Sequence, residues 1–391
     1  MNEKLRVKLL AFPAADPAFF TRSKKRLSKL FHQDRIQFVN QQPDVLVFLT
    51  GGSERVALHS LHGYKFYLII ASSYENSWAA ATEVKAWMNQ SGIESLLVDE
   101  NDPQAQAIID AFYQVRNGLK NLRGKKFGVI GKPSEWLVAS TIDPFITQSK
   151  LGIEQVDLPW EASIPNEKGL IAPEFTNFFK SKEGLGVEMA GRVYESISNV
   201  VRGYDLSAVT VECFPLAQKC NTTACLALSK LGMDGIPAGC EGDICSMVGM
   251  MIAKEIVGTI PWMANIANVK GNKLLLAHCT IPADMLSSFT LETHFETGIG
   301  VAIKGELRYK EVTIFRVDNN LSRIFIATAK VVPAKHSKDA CRTQVTLEID
   351  DKTSRYFFES PLGNHHLVLP NDCTKELWLT AKVLGMEVLP Q

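Results

Sequence analysis

Val45-Leu46-Val47-Phe48-Leu49-Thr50-Gly51-Gly52 is a short β-rich run that stops at two glycines. Glycine lets the chain turn sharply and lets backbone N–H groups approach a ligand. The pair therefore marks either a tight strand-to-helix turn or a ligand-facing loop, with Glu54 where a helix would start. The same texture extends outward on both sides. Residues 5–12, Phe66-Tyr67-Leu68-Ile69-Ile70-Ala71 and residues 95–98 are further strand-like runs. Helical stretches separate them at residues 16–31, 75–89 and 103–119, the first with Asp16 as N-cap and Pro17 at the first helical position. Alternation of this kind predicts a parallel sheet with helices on both faces.

Residues 117–126, NGLKNLRGKK, are polar and basic and mark a boundary. A second α/β unit is expected to start with a strand at 126–130, turn at Gly131-Lys132-Pro133-Ser134 and enter a helix at 135–147. Strands at 154–158 and 208–213 and helices at 215–231 and 241–257 continue the pattern. After Ile260 the texture changes. Short β-branched pieces at 273–278, 298–303, 312–317, 324–331, 344–349 and 367–369 predict an antiparallel sheet or small barrel, and a helix at 374–384 follows. The expected class is α/β: two Rossmann-like parallel-sheet units, residues 1–122 and 123–259, and then a β-rich, barrel-like region, residues 260–391.

Composition narrows the function. The 391 residues carry 42 Lys+Arg and 42 Asp+Glu, a formal net charge of zero, so bulk attraction to nucleic acid is not expected. The one basic cluster, Arg22-Ser23-Lys24-Lys25-Arg26, reads as a solvated helix face. No apolar run approaches the ~20 residues that span a bilayer, so no membrane partner is expected. Residues 1–13 scatter charges through an apolar stretch without a small-residue cleavage pattern, so the expected address is the cytoplasm. Eight cysteines lie in the C-terminal half without a C-x2-C pair, and they are expected to be reduced, small buried residues. There is no P-loop, nucleophile elbow, H-E-x-x-H or EF-hand signature, and the N-terminal unit has no dinucleotide glycine fingerprint.

Polar groups at strand ends are more telling. Cys240-Glu241-Gly242-Asp243 sits between a Gly/Pro turn and a long apolar helix. Its carboxylates either reach the ligand-binding rim of the sheet or cap the helix. Ala277-His278-Cys279, Thr293-His294-Phe295, Cys341-Arg342-Thr343-Gln344 and Gly363-Asn364-His365-His366 follow, each beside an apolar stretch. One histidine in such a place is ordinarily a hydrogen-bonded core residue; several clusters together suggest a polar pocket. Carboxylate oxygens with an imidazole nitrogen suit Mn²⁺, Mg²⁺, Fe²⁺ or Zn²⁺.

In their order, these segments resemble the L-fucose isomerase-like family, in its short bacterial form within the fucose/arabinose isomerase superfamily. Thr210-Val211-Glu212-Cys213, Thr50-Gly51-Gly52-Ser53-Glu54 and Gly131-Lys132-Pro133-Ser134-Glu135-Trp136-Leu137 also fit, so the resemblance covers most of the chain. It implies a divalent metal, typically Mn²⁺, held by a Glu, an Asp and a His. Glu241 and His365 match two of these, and Asn364 would lie beside the sugar. The Asp falls at Asn265, a departure. An amide oxygen can still ligate, but it adds no charge and does not titrate near neutral pH. The resemblance implies aldose–ketose isomerisation through an enediol on a monosaccharide substrate. Glu241 would be ligand and base, Asn265 a weak third ligand and altered catalytic position, and His278, Arg342 and Gln344 sugar contacts. It also implies a homo-oligomer, trimer or hexamer. The alternative expectation, which Asn265 favours, is a sugar-binding or regulatory relative that keeps the pocket without the reaction.

Overall fold

The computed structural model describes residues 2–63, 66–166, 168–179 and 186–390. It divides into two compact units, Met1–Asn117 with Trp378–Met386, and Gly118–Leu377 with Glu387–Gln391. The second unit holds most of both segments, 123–259 and 260–391, that the sequence separates. Among the described residues no helix is long and apolar enough to cross a membrane.

In the first unit β1 (Leu5–Leu10), β2 (Ile36–Phe38), β3 (Val45–Phe48), β4 (Phe66–Ala71) and β5 (Glu94–Asp99) form a parallel sheet in the order β2-β1-β3-β4-β5. Every residue of β3 and β4 is buried, as expected of strands covered on both faces. The first helix starts at Pro17 with the Asp16 carboxylate accepting from Phe19 N–H at 2.6 Å.

The second unit opens with β6 (Lys126–Ile130), β7 (Glu154–Leu158), β8 (Ala208–Val211) and β9 (Ala238–Cys240), parallel and ordered β7-β6-β8-β9. The order reverses between β6 and β8, and such a switch point leaves a crevice at the carboxyl ends of the strands. The chain then builds antiparallel strands: β10 (Trp262–Lys270), β11 (Lys273–His278), the separate pair β12 (Leu286–Glu292) and β13 (Ala302–Leu307), β14 (Glu311–Val317), β15 (Arg323–Val332), β16 (Thr343–Glu348) and β17 (His365–Pro370). The ring β14-β17-β10-β11-β16-β15 closes through β14–β15 pairing, and β18 (Glu387–Leu389) adds parallel to β15. This is the expected class: parallel α/β units and then an antiparallel closed barrel.

The barrel interior is packed with Trp262, Leu274, Ile314, Phe325, Leu347 and Val368. The helix Ile244–Val257 lies between β8/β9 and the barrel strands β14/β17. It comes so close that a Cβ on Gly249 would meet Leu367 Cδ1 at 2.5 Å. Two sequence expectations fail locally. Residues 135–143 are not helical; the helix starts at Pro144 behind an Asp143 cap, whose carboxylate accepts from Phe145 N–H at 2.8 Å. The helix expected at 215–231 is two, Phe214–Cys220 and Cys225–Met233, because Asn221 turns left-handed (φ 53°) after the first.

Candidate metal centre and active site

Glu241 follows β9 directly, at the carboxyl end of the parallel sheet. Its backbone is left-handed (φ 62°), as is that of Gly242 (φ 68°). For Glu this costs on the order of 1–3 kcal/mol, strain typical of functional positions. Gly242 is needed here, because a Cβ would lie 2.7 Å from the Lys132 carbonyl oxygen. The loop after β6 is pinned above the pair by a bond from Ser134 N–H to the Glu241 carbonyl (2.9 Å). That loop carries Trp136, whose indole N–H donates to Glu241 Oε2 at 2.6 Å. Its half-exposed ring meets Phe214 edge-on, centroids 5.1 Å apart.

The barrel supplies the partners. His365 opens β17 and is paired in register with Asn265 of β10, which in turn pairs with Ala277 of β11. His278 closes β11. His278 Nε2 and His365 Nε2 lie 3.9 and 3.7 Å from Glu241 Oε1, and one ligand atom from each of the three residues falls within 4.8 Å of the others. Each imidazole is anchored at its other nitrogen. His365 Nδ1 pairs with Asp243 Oδ2 at 2.9 Å, and His278 Nδ1 with Thr280 Oγ1 at 2.9 Å. Carboxylate or hydroxyl partners of this kind orient histidines that bind metals. His365 Nε2 is buried without a hydrogen-bond partner. Two imidazole nitrogens and a carboxylate oxygen converging around an unsatisfied buried atom fit a divalent ion such as Mn²⁺, Fe²⁺ or Zn²⁺.

Asp243 takes the capping role and, wholly buried, also steadies His365. Its Oδ1 caps the helix Ile244–Val257 through Ser246 N–H (2.7 Å), and its Oδ2 holds His365. Beside it Arg316, 1% exposed in β14, lies 3.4 Å from Asp243 Oδ2 and donates to Ser140 Oγ (2.8 Å), to the Leu362 carbonyl (3.1 Å) and to the His365 carbonyl. Burial opposes the Asp243 charge, but Arg316 and His365 outweigh it and keep the carboxyl ionised far below its usual range. Burial also opposes charge on His365, yet Asp243 and Glu241 raise it to about 9. Glu241 is pulled up by burial and then down to about 2 by His365, His278 and the Trp136 N–H. Burial, with His365 adding to it, drops His278 to about 4, so it is neutral and ready to ligate at pH 7.

The structure thus gathers Glu241, His365 and His278, the last expected as a sugar contact. Asn265 lines the same cavity but is not one of the three, and its Oδ1 accepts from Asn364 Nδ2 at 2.6 Å. Asn364 also accepts from Ile266 N–H (3.2 Å), so it braces β10 against the start of β17. Arg342 and Gln344 are not brought to the cavity. Arg342 donates to the Thr293 carbonyl (2.7 Å) and pairs with Glu292 (3.4 Å). The Gln344 amide is used by the backbone of Ser337 and Cys341. His366 points the other way, into the barrel core against Phe325 and Tyr356, and bonds Tyr356 Oη at 3.0 Å.

Arg316 and Glu296, the latter in the cavity wall, were not singled out in the sequence. His294 stood in a polar cluster, Trp136 stood in the segment 131–137 that fits the resemblance, and Arg316 is the single charge in the apolar run Val312-Thr313-Ile314-Phe315-Arg316-Val317; Glu296 carried no distinct signal. The cysteine reading also needs correction. Cys213 and Cys240 form a disulfide, because β8 and β9 run in register (Val211 opposite Cys240) and end side by side. The other six are thiols, five of them buried. Cys225, Cys279 and Cys341 cluster in the wall of the cavity.

No family model matches this chain. It is similar to a sulfoquinovose isomerase of Alkalicoccus urumqiensis, 20% identical over 390 residues, covering 90% of this chain and 87% of that protein. The likeness runs through both units and supports an isomerase enzyme.

Proposed function

We propose that the protein is a metal-dependent aldose–ketose isomerase acting on a monosaccharide. One observation carries this reading: His365, held at Nδ1 by Asp243, turns its Nε2, which has no hydrogen-bond partner, toward His278 and Glu241 at the rim of the sheet. His278, His365 and Glu241 Oε1 would hold a divalent ion, Mn²⁺ being the expected one, which when bound stabilises negative charge on the two sugar oxygens. Glu241 Oε2, kept in place by Trp136, is the base for the proton on carbon. The cavity is small, about 30 Å³, and open on one side, so the sugar would approach across its mouth beside Trp136, Phe214 and His294. Among the described lining residues there is no lysine or arginine, which favours an uncharged sugar. A homo-oligomer, trimer or hexamer, belongs to the same reading and is checked by solution mass.

The test is incubation with Mn²⁺ and a panel of aldoses that includes L-fucose and sulfoquinovose, in D₂O. The expected result is ketose with deuterium on C1, the signature of proton transfer through an enediol. His278→Ala is expected to weaken Mn²⁺ binding by about 100-fold, and Asn265→Ala by less than about tenfold. The reverse ranking would overturn the ligand assignment. Asn265, an amide tied to Asn364, favours a second reading, a sugar-binding relative without turnover. Sugar binding without ketose from any aldose would select it.

A further inference from the structure

Isomerisation needs two proton carriers, one for the carbons and one for the oxygens. The site described so far supplies only the first. Asn265 does not titrate. Asp243 is wholly buried and its oxygens are taken by Ser246, His365 and Arg316. His278 and His365 have their ring nitrogens committed to Thr280, Asp243 and the ion site.

One carboxyl remains in the cavity. Glu296 lies on the loop between β12 and β13, and this loop brings His294, Glu296 and Thr297 into the wall that also contains Glu241, Asn265 and His278. The loop is set by its own bonds: His294 Nδ1 meets Thr297 Oγ1 at 3.0 Å, and Gly298 N–H donates to the His294 carbonyl at 2.9 Å. His294 packs edge-on against Phe214, centroids 6.2 Å apart, which ties the loop to the aromatic wall at the mouth. The Glu296 carboxyl has no hydrogen bond or ion pair among the described residues, and it is exposed at the opening where the sugar must lie.

We propose that Glu296 is the second catalytic carboxyl, carrying the proton of the sugar oxygens while Glu241 carries that of the carbons. This rests on the isomerase reading above. In the aldose-to-ketose direction Glu241 takes the proton from C2 as Glu296 gives its proton to the carbonyl oxygen on C1, and the C1–C2 double bond of the enediol forms. The O2–H proton then returns to the Glu296 carboxylate as C2=O forms, and Glu241 delivers its proton to C1. Both carboxyls end as they began, and no electrons leave the sugar. The role requires Glu296 to start protonated. Its surroundings assist: partial burial raises its carboxyl and the Glu241 charge adds to this, against the opposing pull of His294.

The test compares wild type, Glu296→Gln and Glu296→Asp, each loaded with Mn²⁺, in saturating sugar. Glu296→Gln is expected to lower kcat by about 100-fold or more while Mn²⁺ affinity by calorimetry stays within about twofold. The pH dependence that Glu296 ionisation imposes on wild-type activity should vanish from the residual rate, and Glu296→Asp should recover part of the activity. A Glu296→Gln enzyme within about threefold of wild-type kcat overturns the assignment. So does one that loses metal binding along with activity, since that is a structural role. If wild type itself forms no ketose, the isomerase reading fails and this assignment falls with it. Turnover by wild type and Glu296→Gln alike removes only the role of Glu296.

Discussion

Buried between two carboxylates, Asp243 and Glu241, His365 is held in its protonated form by their charges. With its pKa raised to about 9 from 6.5, the protonated ring stabilises the metal-free fold fully below pH 6.5, and that stabilisation is lost as pH rises towards 9. The shift corresponds to on the order of 3 kcal/mol. Asp243 and Glu241 are depressed, so their contribution is present above the ordinary carboxylate range and is lost in acid. The buried His278 and His366, whose charged forms burial disfavours, lose stability as pH falls below 6.5, so the metal-free protein should be most stable at about pH 6.5 to 7. A ligating imidazole must be neutral, so ion affinity should rise from pH 6.5 to 9, with nearly one proton released per ion at pH 7. Melting curves against pH with and without Mn²⁺, and calorimetry in buffers of different ionisation heat, check both. At this scale the sequence showed a good deal. The strained Glu-Gly-Asp turn and the Asn-His-His segment stand out because each breaks an apolar stretch. It did not show that His278 converges with them while His366 turns away. That follows from strand pairing and from alternation along β17, which puts neighbouring side chains on opposite faces.

Between the parallel sheet and the barrel, the helix Ile244–Val257 sets the distance between Glu241, at its entrance, and the barrel histidines. Gly249 is the point of closest approach. Gly249→Ala should cost about 1–3 kcal/mol by overpacking against Leu367. Combined with Leu367→Ala, the loss should be smaller than the sum of the two single effects. Denaturant unfolding of the four proteins checks this, and additive losses would mean that the contact is not shared. Most elements were legible because their cues are local: continuous apolar runs for β3 and β4, and Asp16-Pro17 for the first helix. The loop 131–143 was not. Residues 135–147 look helical in isolation, but Asp143-Pro144 supplies a better start. The freed segment lies over Glu241 through Ser134 and Trp136. Arg342 and Gln344 misled for a related reason: polar residues beside an apolar strand look the same whether they face a ligand or fasten a loop.

On the scale of the chain, the first unit is discontinuous, since Trp378–Met386 group with Met1–Asn117. Truncation after residue 377 should therefore lower the hydrogen-exchange protection of β1, β3 and β4, although they lie more than two hundred residues away in sequence. Unchanged protection would show that this unit folds without the late segment. The change of texture near residue 260 exposed the passage from parallel sheet to barrel, because buried parallel strands and short antiparallel strands are composed differently. The return of 378–386 to the first unit left no such trace, since an amphipathic helix does not record which core it covers. Chain order also bears on how the centre comes into being. Translation delivers Glu241 well before His278, and His365 later than both. The three candidate ligands are therefore complete only once β17 has been made. On the proposed reading, protein made without the cation should gain activity when the cation is supplied afterwards, without fresh synthesis.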